Sequence, residues 1–133
     1  MLSLSKYSIL VDCRMCDSSG IGRYISSIVP IVTQSKRFAF SLLFSSREQY
    51  ISFALANPIP SSVRVVISNF KPFTVLDVVC LPFMASKYDI FWATSLSHPF
   101  ISSSRLFVML HDCNQLALLS RWSLKRFAFY VYF

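Results

Sequence analysis

The chain has 133 residues, which is enough for one domain that buries an apolar core. Apolar residues make up 54% and charged residues only 14%, a balance that excludes intrinsic disorder. The longest charge-free stretches, 49–63 and 90–104, are shorter than the run of about 18 apolar residues typical of a membrane-spanning helix, so we expect no membrane span. The net charge of +7 favours phosphates and anionic lipid head groups as partners. The basic residues are scattered, so we expect no nucleic-acid groove.

The beginning of the chain indicates a cytoplasmic protein. The apolar run from Tyr7 ends at Val11, before Asp12, and is shorter than the apolar segment of a secretory signal. Without export, the 4 Cys residues are expected to stay reduced.

The chain alternates between short β-branched or aromatic runs and segments with helical spacing. In the first helix an apolar stripe runs from Ile21 to Val32, and Pro30 is expected to kink this helix or end it early. Thr74 and Asp77 have the spacing of a capping box at the start of a later helix. In chain order, the segments are a strand at 7–13, a helix at 21–32, a strand at 37–46, a helix at 47–56, a strand at 63–68, a helix at 74–87, strands at 89–95 and 104–110, and a helix at 116–133.

This alternation predicts an α/β fold with a Rossmann-like parallel sheet flanked by helices. In such sheets ligands bind beyond the carboxyl ends of the strands. Polar residues follow three of the predicted strands, so we expect them to meet at one edge: Asp12 with the loop 18–22 after the first strand, Ser95 and His98 after the fourth, and His111 and Asp112 after the fifth.

The loop Ser18–Arg23 holds both glycines of the chain, Gly20 and Gly22, and opens the first helix. Helix N-termini present free N–H groups and partial positive charge, which suit a phosphate. The G-x-G-x-x-G fingerprint does not fit, because Ile25 stands at its last position. From spacing alone, an anion site and an ordinary strand-to-helix turn both remain open.

Two histidines carry further alternatives. His111 with Asp112 is either an acid/base or charge-stabilising pair, or a hydrogen-bonded loop. His98 precedes Pro99 in a loop, where a structural role is the simpler interpretation.

Cys13 and Cys16 form a C-x-x-C after the first strand, which suggests a thioredoxin-like redox motif as an alternative. In that motif the helix begins at the first cysteine, whereas here residues 17–20 intervene and Asp17 would raise the thiol pKa. A zinc site needs a second matched pair, and Cys80 and Cys113 are isolated, so no metal site is predicted.

Two stretches of the chain carry longer motifs. The first is I-L-V-D-C-R-M at 9–15 with S-G-I-G-R-Y-I at 19–25. The second is D-I-F-W-A-T at 89–94 with Pro99, followed by R-L-F-V-M-L-H-D at 105–112. The first resembles the "D-x-R" strand end and "S-G-I-G-R-Y" helix start of the N-terminal domain of glycosyltransferase family 4, and the second resembles that family's "D-x-[FW]-x-[ST]…P" strand and "H-D" strand end. The order and spacing agree over nearly the whole chain.

The resemblance implies the N-terminal half of a GT-B fold, spanning 1–133 as a single Rossmann-like domain. Family members move a sugar, here a hexose such as mannose, from a nucleotide-sugar to a glycan or lipid-linked acceptor with retention and without a bound cofactor. The implied site has three parts: a donor diphosphate at Gly20, Ile21, Gly22 and Arg23; catalytic residues His111 and Asp112; and acceptor-side residues Asp12, Arg14, Ser95 and His98.

The family's donor-binding residues lie in a C-terminal domain, so we expect this chain to be an incomplete glycosyltransferase that transfers little sugar alone. The aromatic run 127–133 is expected to be an element cut short. Two alternatives remain: a binding half that works with a separately encoded donor domain, and a small flavodoxin- or thioredoxin-like domain using Cys13 and Cys16. If the chain is part of a transferase, we expect it in the cytoplasm, where it could bind peripherally to the inner face of the membrane.

Overall fold

The computed structural model describes residues 7–111, which form a five-stranded sheet and three helices. The predicted helix at 116–133 and the predicted catalytic residue Asp112 lie outside the described residues. The elements are β1 (Tyr7–Asp12), α1 (Ser19–Val32), β2 (Phe38–Phe44), α2 (Arg47–Ala56), β3 (Arg64–Ile67), α3 (Val75–Ala85), β4 (Ile90–Ala93) and β5 (Arg105–Val108).

The strands lie in the order β3-β2-β1-β4-β5 and every neighbouring pair is parallel. The chain therefore moves outward from β1 through β2 to β3, then returns to place β4 on the other side of β1. The α/β Rossmann-like fold predicted from the sequence is confirmed. The reversal of strand order between β1 and β4 is the topological switch point, where such sheets bind ligands.

Alternation along the strands divides the core between the two faces of the sheet. On one face, Ile9 and Val11 of β1 pack with Ile25 of α1 and Phe53 of α2. On the other face, Leu10 packs under α3 in a smaller cluster that includes Leu43, Leu81, Ala85, Phe91 and Ala93. No helix within 7–111 is long and apolar enough to cross a bilayer.

The elements agree with the sequence prediction in number, type and order over the described residues. α2 has the predicted bounds, and every strand is one to three residues shorter than predicted. α1 includes Pro30 and continues to Val32, so the proline lies in its last turn, where the helix is about to end. Thr74 caps α3 as predicted, because its hydroxyl accepts a hydrogen bond from the Asp77 N–H.

Gly22 allows α1 to start close against the loop that leaves β1. A Cβ at Gly22 would overlap the carbonyl oxygen of Cys16 and lie 2.9 Å from its carbonyl carbon. That carbonyl belongs to a tight turn, in which the Cys16 N–H donates to the carbonyl of Cys13 at 3.0 Å. A Cβ at Gly20 would meet nothing within 4 Å. The two glycines therefore differ: Gly22 is needed for packing, and Gly20 leaves open space at the helix end.

This difference predicts opposite effects of one substitution. Gly22→Ala forces a backbone shift and should lower the free energy of unfolding by about 1–3 kcal/mol, as overpacking does elsewhere. Gly20→Ala should leave it unchanged or raise it by up to ~1 kcal/mol, because alanine favours the helix. Equilibrium unfolding in urea gives the free energy of unfolding of both variants and of the unchanged protein. Equal destabilisation by the two alanines would contradict the assigned packing role.

Candidate functional site

The N-terminus of α1 is open, unlike those of the other two described helices. Ser18 at the N-cap makes no side-chain hydrogen bond to the helix, and no acidic residue stands in the first turn. In α2 and α3, by contrast, Ser46 and Thr74 accept hydrogen bonds from backbone N–H groups of the first turn, and each of these turns contains an acidic residue. Backbone N–H groups of α1 and its dipole are thus available to an anion at the carboxyl end of β1.

His111 lies at the same edge of the sheet and contacts the second turn of α1. Its ring centroid is 4.8 Å from that of Tyr24, in the second turn of α1, in an edge-on arrangement. Nε2 of His111 is 2.6 Å from the carbonyl oxygen of Thr94. Because a carbonyl only accepts, Nε2 carries the proton. Nδ1 makes no hydrogen bond to a residue of the described range 7–111.

Thr94 joins the ends of three strands and was missed as a site residue. Its hydroxyl donates to the carbonyl of Asp12 at 2.5 Å, while its own carbonyl receives the hydrogen bond of His111. Its side chain is fully buried. Thr94 therefore fixes the position of His111 relative to the end of β1. In the sequence, Thr94 could have been found as the hydroxyl-bearing residue that directly follows the apolar run of β4.

Arg14 is a buried cation held by two carboxylates from different elements. Its Nε and Nη2 bind the two oxygens of Asp12 at 2.9 and 2.7 Å, and its Nη1 binds Asp77 at 2.7 Å. The hydroxyl of Ser97 accepts from Nη2 at 3.3 Å and donates to Asp77 at 2.5 Å. The guanidinium also lies 5.4 Å from the ring centre of Phe70. We call Asp12, Arg14, Asp77 and Ser97 the arginine cluster.

The arginine cluster joins the loop after β1, the start of α3 and the loop after β4. Burial lowers the pKa of Arg14, but the hydrogen bonds and charges of Asp12 and Asp77 outweigh it, so the pKa is raised and the cation is kept. Asp77 also accepts the N–H of Phe73 at 2.8 Å, which fixes the turn before α3. Sequence spacing indicated a capping role for Asp77, but nothing in the sequence linked it to Arg14.

The structure places the predicted acceptor-side residues at the expected edge, but largely under the surface. Asp12 and Arg14 are 1% and 3% exposed, and Ser95 is also buried, its hydroxyl accepting the N–H of Ser97. His98 is half-buried, and burial lowers the pKa of its imidazole. Asp12, Arg14 and Ser95 therefore support this edge of the sheet from below its surface. Contact of these residues with an acceptor stays a prediction.

A cleft of about 560 Å³ opens at the carboxyl ends of β1, β2 and β3. Gln49 crosses one wall, donating to the carbonyl of Arg14 at 2.9 Å and to Asp17 at 2.7 Å. Asn69 lines the cleft with a φ of 60°, an uncommon conformation outside glycine. Lys71 adds a cation there. Sequence reasoning missed these residues, because each is an ordinary polar residue of a loop or helix start.

The thiols of the C-x-x-C pair are held in their protonated form. Cys13 and Cys16 are both free thiols. Burial raises the pKa of Cys13 well above its usual range, and the charges of Asp12 and Cys16 add to this. Burial and the neighbouring Asp17 raise the pKa of Cys16 to about 12. Since the thiolate is the reactive form, these raised pKa values disfavour a nucleophilic role for either cysteine at neutral pH.

No group of three or more His, Cys, Asp or Glu residues is placed to hold a metal ion within residues 7–111. Comparison of the chain with models of protein families, with curated proteins and with solved structures finds no match. The site therefore has to be interpreted from its own geometry.

The raised pKa predicts slow alkylation of Cys16. At pH 8, iodoacetamide should modify Cys16 in the folded protein on the order of a thousandfold more slowly than in urea, because so little thiolate is present. The folded rate should rise with pH up to the limit of stability. Mass spectrometry of the digested protein measures the fraction of Cys16 that is alkylated over time. Rapid alkylation of Cys16 at neutral pH would contradict the assignment and revive the redox alternative.

Proposed function

We propose that this chain is the N-terminal, acceptor-side domain of a retaining glycosyltransferase with a GT-B architecture, as the resemblance to family 4 implies. The observation that carries the proposal is the juxtaposition of an uncapped helix N-terminus with His111 at the topological switch point of a parallel sheet. This arrangement suits a pyrophosphate group with a polar ligand part beside it.

The chemistry follows from where charge develops. As the bond between the hexose and the nucleoside diphosphate breaks, negative charge grows on the diphosphate. Backbone N–H groups at the start of α1 are oriented in advance to stabilise that charge, and Gly20 leaves room for the group to approach. The exposed Arg23 adds positive charge one turn along the helix. The sugar becomes oxocarbenium-like, so a polar group next to it is useful.

His111 is the residue proposed to meet the sugar. Its Nε2 donates to the carbonyl of Thr94, so Nδ1 is the nitrogen of the ring that can accept a hydrogen bond from a hydroxyl of the sugar. Thr94 and the arginine cluster then act as positioning residues, because they hold the strand ends that carry His111 and the loop before α1. Asp12 and Arg14 are buried, so in this proposal they support the acceptor's side of the cleft from below, and their direct contact with the acceptor stays a prediction.

The proposal also assigns substrates, a partner domain and a location in the cell. The donor is a nucleotide-sugar, and the acceptor is a glycan or a lipid-linked glycan. A domain supplying nucleotide recognition completes the site, whether in the same polypeptide or a separate chain. The net charge of +7 supports work at the inner, anionic face of a membrane, in the cytoplasm.

Nucleotide binding at the start of α1 is the direct test. Titration of a ¹⁵N-labelled chain with a uridine or guanosine diphosphate-hexose should shift the amide signals of Ser19, Gly20 and Ile21 and the imidazole signals of His111. Gly20→Glu places a carboxylate where the diphosphate would lie. It should weaken the binding at least about tenfold, since a like charge disfavours the complex.

The matched control is Ser27→Glu, which adds the same charge on an exposed position of the same helix, away from its start. With Ser27→Glu the same amide signals should shift, and the affinity for the nucleotide-sugar should stay within about twofold, because only weak long-range repulsion is added. Shifts spread over the surface, or equal loss with both glutamates, would show nonspecific attraction to a basic protein. Absence of any shift in residues 18–23 at millimolar nucleotide would overturn the proposed site.

A further inference from the structure

The helix α3 exposes apolar side chains on the side that faces away from the sheet. Its inner side is buried through Leu81 and Ala85. Its apolar residues that are more than half exposed are Val75, Leu76, Val78, Val79 and Phe83. The one charged residue of α3, Asp77, is buried in the ion pair with Arg14. A helix that is apolar on all sides is normally covered on all sides, so the outer side of α3 indicates a binding surface.

The outer side of α3 forms one wall of an apolar groove of about 640 Å³. The opposite wall is the loop before β5, where Phe100 and Ile101 are 57% and 80% exposed. Three serines also line the groove, and the hydroxyl of each already makes a hydrogen bond within the protein: Ser86, Ser102 and Ser103. Protein interfaces are held in register by many directed hydrogen bonds, whereas acyl chains need none. The groove therefore favours acyl chains over a protein partner.

A polar pocket of about 360 Å³ continues from one end of the groove, and the two share two of these serines. Lys87 and Arg105 line the polar pocket, and both are exposed. Neither forms an ion pair within residues 7–111. Asp89 lines the pocket too, but its carboxylate already accepts the N–H and the hydroxyl of Ser8 at 2.8 and 2.7 Å. Positive charge is therefore in excess directly beside the apolar groove.

We propose that α3 and the loop before β5 bind the surface of a membrane that contains anionic phospholipids. Phe83 and Ile101 enter the acyl region, and Lys87 and Arg105 lie at the level of the phosphates. An apolar surface bordered by cations matches the order of the layers in such a membrane. With 11 residues α3 is too short to span a bilayer, so it lies along the surface. The inference names a surface for the membrane contact in the proposed function, but it rests on exposure and charge and does not require sugar transfer.

The charges at the two ends of α3 disfavour a second copy of the chain in the groove. Lys71 precedes α3 and Lys87 follows it, and both are exposed. If two copies packed through α3, lysines would meet at both ends of the helix pair, whether the helices ran parallel or antiparallel. The buried Asp77 is the one acidic residue of α3, so the helix offers no exposed carboxylate to offset this repulsion. An anionic membrane attracts both lysines instead.

Sedimentation of the full chain with lipid vesicles tests the apolar part of this surface. The chain should bind vesicles of phosphatidylcholine and phosphatidylglycerol at least about tenfold more tightly than vesicles of phosphatidylcholine alone. Phe83→Gln should weaken binding to the anionic vesicles at least about tenfold, because it removes an inserted apolar side chain. Leu55→Gln is the matched control, since Leu55 is 84% exposed on α2, on the other face of the sheet. It should leave the affinity within about twofold. Urea unfolding checks that both variants fold.

A second pair of variants tests the cations. The double change Lys87→Gln and Arg105→Gln should weaken binding to the anionic vesicles at least about tenfold, because both cations lie at the phosphates. The matched control, Lys36→Gln with Arg37→Gln, removes two exposed cations from the loop before β2. It should weaken binding by no more than about threefold, since only long-range attraction is lost.

Each other outcome overturns the proposal. Absence of binding to the anionic vesicles would show that the chain has no such surface. Equal weakening by the two double variants would show attraction of a basic protein to anionic lipid without a defined surface. Unchanged vesicle binding with Phe83→Gln would assign the groove to another occupant, and a dimer that this variant dissociates in analytical ultracentrifugation would identify it as a second copy. These measurements contain no nucleotide, so their failure leaves the nucleotide titration of the proposed function unaffected.

Discussion

The edge of the sheet that carries the site depends on a buried cation. Arg14 lies directly after β1 and satisfies its charge through the carboxylates of Asp12 and Asp77. Taking these groups out of water is costly, and only well-formed charge-assisted hydrogen bonds offset the cost. Because Asp77 begins α3 and Ser97 follows β4, this one cation fixes the relative positions of three elements. An edge built this way is set before any ligand arrives.

This edge of the sheet positions the N-terminus of α1, which no side chain caps. The turn at Cys13–Cys16 packs against Gly22 and aims α1 at the switch point, while Ser18 leaves the first N–H groups without a side-chain partner. On the other side of the switch point, Thr94 holds His111 by its Nε2 proton. Packing and hydrogen bonding that stabilise the fold therefore also leave an uncapped helix start and a histidine at one edge of the sheet, where the proposed function puts the diphosphate. Such preorganisation is the main way in which proteins stabilise developing charge.

The sequence predicted the fold well because its signals are local. β-branched runs, the helical stripe of α1 and the Thr74 cap each act over a few residues, and the alternation of strands with helices favours a parallel sheet. The order of the strands in the sheet was not predicted. The sequence also predicted that the loop at Gly20 and His111 would share one edge, since parallel strands end together. It did not predict the Arg14–Asp77 pair, separated by 63 residues, or the wall formed by Gln49. Such long-range polar pairing leaves no periodic trace in a single sequence.

A double-mutant cycle between Arg14 and Asp77 tests the central interaction most directly. The free energy of unfolding is measured for Arg14→Met, Asp77→Asn and the double variant. Arg14→Met leaves two buried carboxylates without their cation and should cost about 3–5 kcal/mol, whereas Asp77→Asn leaves Arg14 paired with Asp12 and should cost less, about 1–3 kcal/mol. The account predicts that the two losses overlap, with a coupling energy of at least about 1.5 kcal/mol. Additive losses, within about 0.5 kcal/mol, would show that the pair does not hold the edge together.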